Sequence, residues 1–171
     1  MIAAISTDGF IAGPNGDKSW ISDEDKEFLR QTIKKSDVLI MGSGTFLAHK
    51  DSFNLKSTKK RIVLTSRPSD YKEYRHLASF VNKDITKILQ QLKESGHKKA
   101  LILGGSRLYA DCLEGGLVDE VLLTVEPVLL SKGTPFLSGG KSMNNYPNFK
   151  QLSTVNLNEK GALIHSFLLK S

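Results

Sequence analysis

Three stretches of this 171-residue chain put glycine, hydroxyl and basic side chains directly after short apolar runs: Gly42-Ser43-Gly44-Thr45, Thr65-Ser66-Arg67 and Gly104-Gly105-Ser106-Arg107. Glycine lets an anion approach the backbone, a following helix offers unpaired N–H groups, and hydroxyl and guanidinium groups add donors for phosphate oxygens. Neither glycine cluster has the G-x-G-x-x-G or Walker spacing, so each taken singly reads first as a tight turn. Three of them at strand ends read together as a bed for a dinucleotide, because open α/β sheets bind ligands beyond the carboxyl ends of their strands. Asp25 stands apart as the candidate for acid chemistry, near a glycine-rich loop over residues 9–16. Its competing role is structural, as the carboxylate three residues after Ser22 in a capping box.

Other chemistries find no support in the residue pattern. His49, His76, His97 and His165 are scattered without a metal-ligand spacing, so no metal is expected. The single cysteine, Cys112, excludes an internal disulfide framework and lies among apolar neighbours, which suits packing rather than nucleophilic use. No G-x-S-x-G elbow occurs. Lys+Arg number 24 against 18 Asp+Glu, a net charge of +6. Eight basic and three acidic residues fall between Lys50 and Arg75, a local balance of +5. That stretch reads as a solvated face, or as an anion patch for the phosphates of a nucleotide; it lacks an RNA-binding aromatic motif, and no nucleic-acid partner is expected. The apolar runs are far too short to span a bilayer, and the first charge is Asp8, so neither a membrane span nor a signal peptide is expected; the setting is read as cytoplasmic.

The elements that must position these groups follow from periodicity. Apolar runs at 2–6, 38–41, 61–65, 77–81, 100–103 and 118–126 predict strands. Ser22 followed by acidic residues at 23–25 predicts a helix start, with Phe28, Leu29, Thr32 and Ile33 on one face. Ile85, Ile88, Leu89 and Leu92 mark an amphipathic helix with Asp84 as its N-cap and Gly96 as its stop. A further helix is expected from Ser106 to about Leu113. Residues 150–156 and 162–169 flank Asn158-Glu159-Lys160-Gly161 as a terminal hairpin. Strands alternating with helices predict an α/β class with a mixed, mostly parallel central sheet and a C-terminal antiparallel hairpin, in one domain over 1–171.

The order of these pieces resembles the dihydrofolate reductase superfamily, including the reductase domain of the bifunctional riboflavin-biosynthesis deaminase–reductase. The resemblance is carried by residues 2–13 (IAAISTDGFIAG), 19–23 (SWISD), 41–45 (MGSGT), 61–68 (RIVLTSRP), 103–109 (LGGSRLY) and 121–137 (VLLTVEPVLLSKGTPFL). Asp25 lies five residues beyond Trp20, the spacing of the dihydrofolate reductase carboxylate, whereas the riboflavin branch does not normally carry an acid there. Ser43 replaces the arginine that usually follows the second strand in dihydrofolate reductase, and His49-Lys50-Asp51-Ser52-Phe53 replaces the riboflavin branch's D-x-P-x-L-x-x-R.

The resemblance implies a three-layer fold and an NADPH-dependent reductase that passes hydride to a pterin-like or aminopyrimidine substrate, of the 5-amino-6-(5-phosphoribosylamino)uracil kind. The alternative is a non-catalytic nucleotide-binding module on the same fold. Carried over residue by residue, Gly42, Gly44, Thr45, Thr65, Ser66, Arg67, Gly104, Gly105, Ser106 and Arg107 would line the cofactor. Ala4, Ile5, Ile11, Trp20, Phe28, Leu29 and Thr124 would line the substrate, with Asp25 as the catalytic group. Burial beside Trp20, Phe28 and Leu29 would raise the Asp25 pKa against the pull of the helix N-terminus. The resemblance also implies a cis peptide at Gly104–Gly105 and a homodimer formed through sheet strands.

Overall fold

The computed structural model of the chain describes residues 1–53, 59–139 and 148–169. Its strands are β1 (Ile2–Ser6), β2 (Phe10–Ala12), β3 (Val38–Gly42), β4 (Lys60–Leu64), β5 (Ser79–Val81), β6 (Ala100–Ile102), β7 (Glu120–Glu126), β8 (Thr134–Pro135), β9 (Phe149–Asn156) and β10 (Leu163–Leu169). The α-helices are α1 (Asp23–Lys34), α2 (Ser43–His49), α3 (Ile85–Glu94) and α4 (Ser106–Glu114). β3, β4, β5 and β6 form a parallel four-stranded sheet in the order β5-β4-β3-β6. β1, β7, β10 and β9 form a second four-stranded sheet, parallel between β1 and β7 and antiparallel beyond. The α/β class, the parallel centre and the C-terminal hairpin β9–β10 are as the sequence predicts.

Alternation along the strands sorts the core onto two faces. Val38 and Ile40 of β3, with Ile62, Ile102 and Ala3, pack against Ile85, Ile88 and Leu92 of α3 and Leu108, Tyr109 and Cys112 of α4. Leu39, Met41, Val63 and Ile2 face the other way, against Phe28, Leu29 and Ile33 of α1 and Phe46 of α2. The result is three layers, helices on both faces of the strands. Cys112 is fully buried and burial pushes its thiol up to about 12, which fits the expected packing role.

Several local expectations change. The glycine-rich loop over 9–16 contains β2, which pairs antiparallel with β8, and a 3-10 turn at Pro14–Gly16. Asp8 ties this segment down by accepting from the amides of Leu130 and Ser131, the latter at 2.7 Å. The strand expected at 77–81 begins at Ser79, because the amides of Leu77 and Ala78 are used on the Tyr74 carbonyl. β7 begins at Glu120 rather than at 118. α2 was not anticipated: it is short and is anchored by Phe46, whose fully buried ring is packed by Phe53, Tyr71, Tyr74 and Phe80 at centroid distances of 4.9–6.5 Å. Truncating such a ring costs about 3–5 kcal/mol, so the aromatic cluster fixes the helix that follows the first glycine cluster.

The basic stretch does not form one uniform face. Lys59 donates to the carbonyls of Lys34 and Ser36, Arg61 is buried against the Phe53 ring, Lys50 pairs with Asp51 and Arg67 with Asp70. Lys56 lies outside the described residues.

Candidate active site

The strand order places the carboxyl ends of β4, β3 and β6 side by side, and these are the ends that carry the three glycine and hydroxyl stretches. Gly42 and Gly105 are the N-caps of α2 and α4, and neither supplies a side-chain cap. The first-turn amides of both helices are therefore left to other acceptors, which is the arrangement that suits an anion. The two clusters touch: the Gly42 amide donates to the Gly104 carbonyl at 2.7 Å. A Cβ on Gly105 would stand 3.5 Å from the Thr45 hydroxyl, and one on Gly44 would meet nothing within 4 Å. The Gly104–Gly105 peptide is cis, as the resemblance implies. Gly104 has φ +95, and a Cβ there would fall 2.8 Å from the Tyr109 ring. Tyr109 is itself pinned, donating its hydroxyl to the Ile2 carbonyl of β1 at 2.6 Å.

Next to β3, the Thr65 hydroxyl accepts from the Arg67 amide at 3.2 Å and shapes the turn that leads Arg67 out to solvent. Arg67 and Arg107 are both largely exposed, each with a carboxylate neighbour on its own segment, Asp70 and Asp111. Ser66, next to Arg67 in the chain, is exposed. Ser106 differs from its expected role: its hydroxyl is buried and donates to the Pro135 carbonyl at 2.5 Å, so it fastens α4 to β8. Gly44, Thr45, Thr65, Ser66, Gly104, Gly105 and the Arg67 and Arg107 side chains thus follow the ends of these strands as amides, hydroxyls and guanidinium groups, a donor set that fits the phosphates of a dinucleotide, while the Gly42 amide is already spent on Gly104.

The side on which the resemblance places a substrate is built from α1 against the β1–β7 pair. Ala4 is in register with Thr124, and in parallel strands registered residues share a face. Two residues on, Glu126 joins that face. Asp25 sits in the first turn of α1 on the stripe continued by Phe28, Leu29 and Thr32, and is 6% exposed. Burial is the largest influence on its carboxyl and raises its pKa; the Thr124 hydroxyl opposes this and the Glu126 charge adds to it. Thr124 Oγ1 is itself buried and has no hydrogen-bond partner among the described residues, so a buried polar atom stands unsatisfied on the strand that lies next to the Asp25 carboxyl.

Glu126 is the residue that sequence reasoning missed. It is 3% exposed, and its Oε1 accepts from both the Ser22 amide, at 2.9 Å, and the Ser22 hydroxyl, at 2.6 Å. The Ser22 hydroxyl in turn accepts from the Asp25 amide at 3.3 Å. The reciprocal bond of a capping box, from the third helical residue back to the cap amide, is therefore made by Glu126 and not by Asp25. The signal for this was the period of β7, which puts Thr124 and Glu126 on one face of a predicted strand.

Other expected substrate-side residues are not gathered at Asp25. Ile5 pairs with Val125 and shares the opposite face from Ala4. Ile11 packs into the cluster on the α4 side. Trp20 is half-buried and donates its indole N–H to the Asp17 carbonyl at 3.1 Å, so its polar edge is turned onto its own loop.

Comparison with known proteins agrees with this architecture. The family model of the RibD C-terminal domain matches residues 1–163. A Bacillus subtilis (strain 168) protein known as uncharacterized protein YyaP is 29% identical over 156 residues, covering 83% of this chain and 81% of that one. Among solved structures, the Thermotoga maritima diaminohydroxyphosphoribosylaminopyrimidine deaminase/5-amino-6-(5-phosphoribosylamino)uracil reductase aligns with a TM-score of 0.76 at 20% identity, over 99% of this chain and 55% of that one. A dihydrofolate reductase from Enterococcus faecalis, in complex with NADP(H), aligns with a TM-score of 0.71 at 20% identity, over 99% and 95%.

Proposed function

The chain belongs to the RibD C-terminal domain family, and we propose that it works there as an NADPH-dependent reductase of a pterin-like or aminopyrimidine heterocycle. The observation that carries the reading is Asp25: a buried carboxyl at a helix N-terminus that is not used to cap that helix. A structural carboxylate in that position would be expected to make the cap bond; one left over, beside an otherwise unpartnered threonine hydroxyl, suits a ligand.

NADPH, when bound, supplies the hydride; the chain's own work is binding, orientation and proton handling. The amides at the starts of α2 and α4 and the hydroxyl of Thr45 would hold the phosphates. Arg67 would meet the 2′-phosphate in place of the arginine absent at Ser43. Asp25 would accept an N–H from the amino-heterocycle and give a proton to the nitrogen of the C=N bond being reduced. Its raised pKa favours that duty, because a general acid works best when it holds a proton near the operating pH. Thr124 would orient the carboxyl. The chain is also proposed to pair into a homodimer through the β9–β10 hairpin, whose Leu152 and Val155 are more than half exposed.

The test is loss of reduced-nicotinamide absorbance with a panel of dihydropterins, pterins, aminopyrimidines and their ribose phosphates. Binding of NADPH with turnover of none of them would favour the non-catalytic nucleotide-binding alternative.

A further inference from the structure

An N-cap serine normally finds its reciprocal partner three residues on, and here that residue is Asp25. The bond is instead made by a carboxylate 104 residues away, at the end of β7. Glu126 reaches the cap because β7 runs parallel to β1 beneath α1, and its period brings positions 124 and 126 to the same face. Both donors of Ser22 converge on one Glu126 oxygen. A buried carboxylate needs such donors, and a helix N-terminus needs such an acceptor, so each satisfies the other.

We infer that Glu126 is a positioning residue for Asp25: by capping α1 from across the fold, it leaves the Asp25 carboxyl free of the helix N-terminus and turned toward Thr124. Its value to turnover rests on the reductase reading of Asp25, whereas the exchange of capping duty is a property of the fold. Had Asp25 made the cap bond, the amide and the helix dipole would have held it ionised. With Glu126 in that place, Asp25 experiences burial and a second negative charge instead. The groups that face it are Thr124 and Glu126 from β7, Lys26 from its own helix, and the Tyr109 phenol from α4, with Lys26 and Thr124 favouring the ionised form.

The experiment follows the Asp25 carboxyl by carbon NMR in the substrate-free full chain, as wild type and as Glu126→Gln, a variant that keeps size and acceptor oxygen and removes the charge. Asp25 is expected to titrate at lower pH in the variant. In NADPH-coupled turnover, the limb of the kcat/KM profile that reports Asp25 should move the same way. An Asp25 titration that stays where it is in Glu126→Gln overturns the assignment. Should that variant not fold, Glu126→Asp, which keeps the charge and withdraws the acceptor from the Ser22 amide, decides in its place: an Asp25 titration unmoved there overturns the assignment equally. If Asp25 moves but no heterocycle is reduced, the positioning stands and the reductase reading falls. If a heterocycle is reduced and Asp25 does not move, the reverse holds.

Discussion

Asp25→Asn should make the protein more stable and less active, and the stability gain should depend on pH. Asp25 is 6% exposed and the pKa of its carboxyl is raised, chiefly by burial. A raised folded-state pKa means that the folded chain holds the proton more tightly than the unfolded chain does. Below the unfolded value of about 3.9, both states are protonated and the group costs nothing. As pH rises from there through the folded value, the unfolded chain gives up its proton first, and stability falls. Above the folded pKa the penalty is constant, at about 1.4 kcal/mol for each pH unit of elevation. Asparagine has nearly the same shape and no charge to desolvate, so it removes the penalty. The Asn-minus-Asp difference in unfolding free energy, measured by urea denaturation, should vanish near pH ~3 and become positive toward neutrality. Turnover of a verified substrate should fall sharply while NADPH affinity holds. A capping carboxylate behaves the opposite way, losing about 1 kcal/mol on substitution at neutral pH. Loss of stability at neutral pH with turnover intact would refute the reasoning outright.

Arg67→Ala should weaken NADPH about tenfold, as expected for one charge-assisted phosphate contact, and leave NADH nearly unchanged; isothermal titration with both cofactors checks it, and equal losses would remove Arg67 from the phosphate site. Gly104→Ala should cost on the order of 2–5 kcal/mol, from a left-handed backbone and a Cβ 2.8 Å from the Tyr109 ring. In a Tyr109→Leu background the ring is gone and the cost should drop to the backbone share of about 1–2 kcal/mol; equal costs in both backgrounds would show that the ring is not the obstacle. The homodimer predicts a sedimenting species near twice 18.9 kDa that Leu152→Lys with Val155→Lys returns to one chain; a wild-type monomer at high concentration contradicts it.

What was legible in the sequence followed from period and punctuation. The alternation of apolar runs with 3.6-period stretches gave the α/β order, and Ser22 and Asp84 mark helix starts that the structure keeps, with bonds to the Asp25 and Thr86 amides. Both glycine clusters were legible as strand ends, and the second as the start of α4, but α2 was not legible, because it is held by aromatic residues from three later segments that no local window contains. β2 and β8 were hidden for a related reason: each is too short to show a period, and the pairing joins segments about 120 residues apart. Ile5 and Ile11 were assigned to the substrate side by resemblance, yet strand alternation alone separates Ile5 from Ala4. Ser106 looked like a phosphate ligand because of its neighbours, and only the return of the chain at Pro135 shows where its hydroxyl goes.

The division of labour between the two buried carboxylates follows from the same topology. A helix that begins beside the end of a strand exposes its N-terminal amides to whatever that strand carries on the facing side. On β7 that side carries Thr124 and then Glu126, a hydroxyl followed by a longer acidic arm. Glutamate reaches the Ser22 amide and hydroxyl together. Asp25, in the first turn of the helix, has its own amide satisfied by Ser22 and its carboxyl left beside the shorter threonine. Exchanging the lengths should therefore break the arrangement without changing its charge: in Glu126→Asp the acceptor retreats by one methylene, the Ser22 amide loses its partner, and the Asp25 carboxyl becomes the nearest replacement. Slower turnover together with an Asp25 titration drawn toward lower pH, as the cap bond and helix dipole favour its ionised form, is the expected result. A Glu126→Asp protein with wild-type turnover and titration would mean that reach plays no part in keeping Asp25 free.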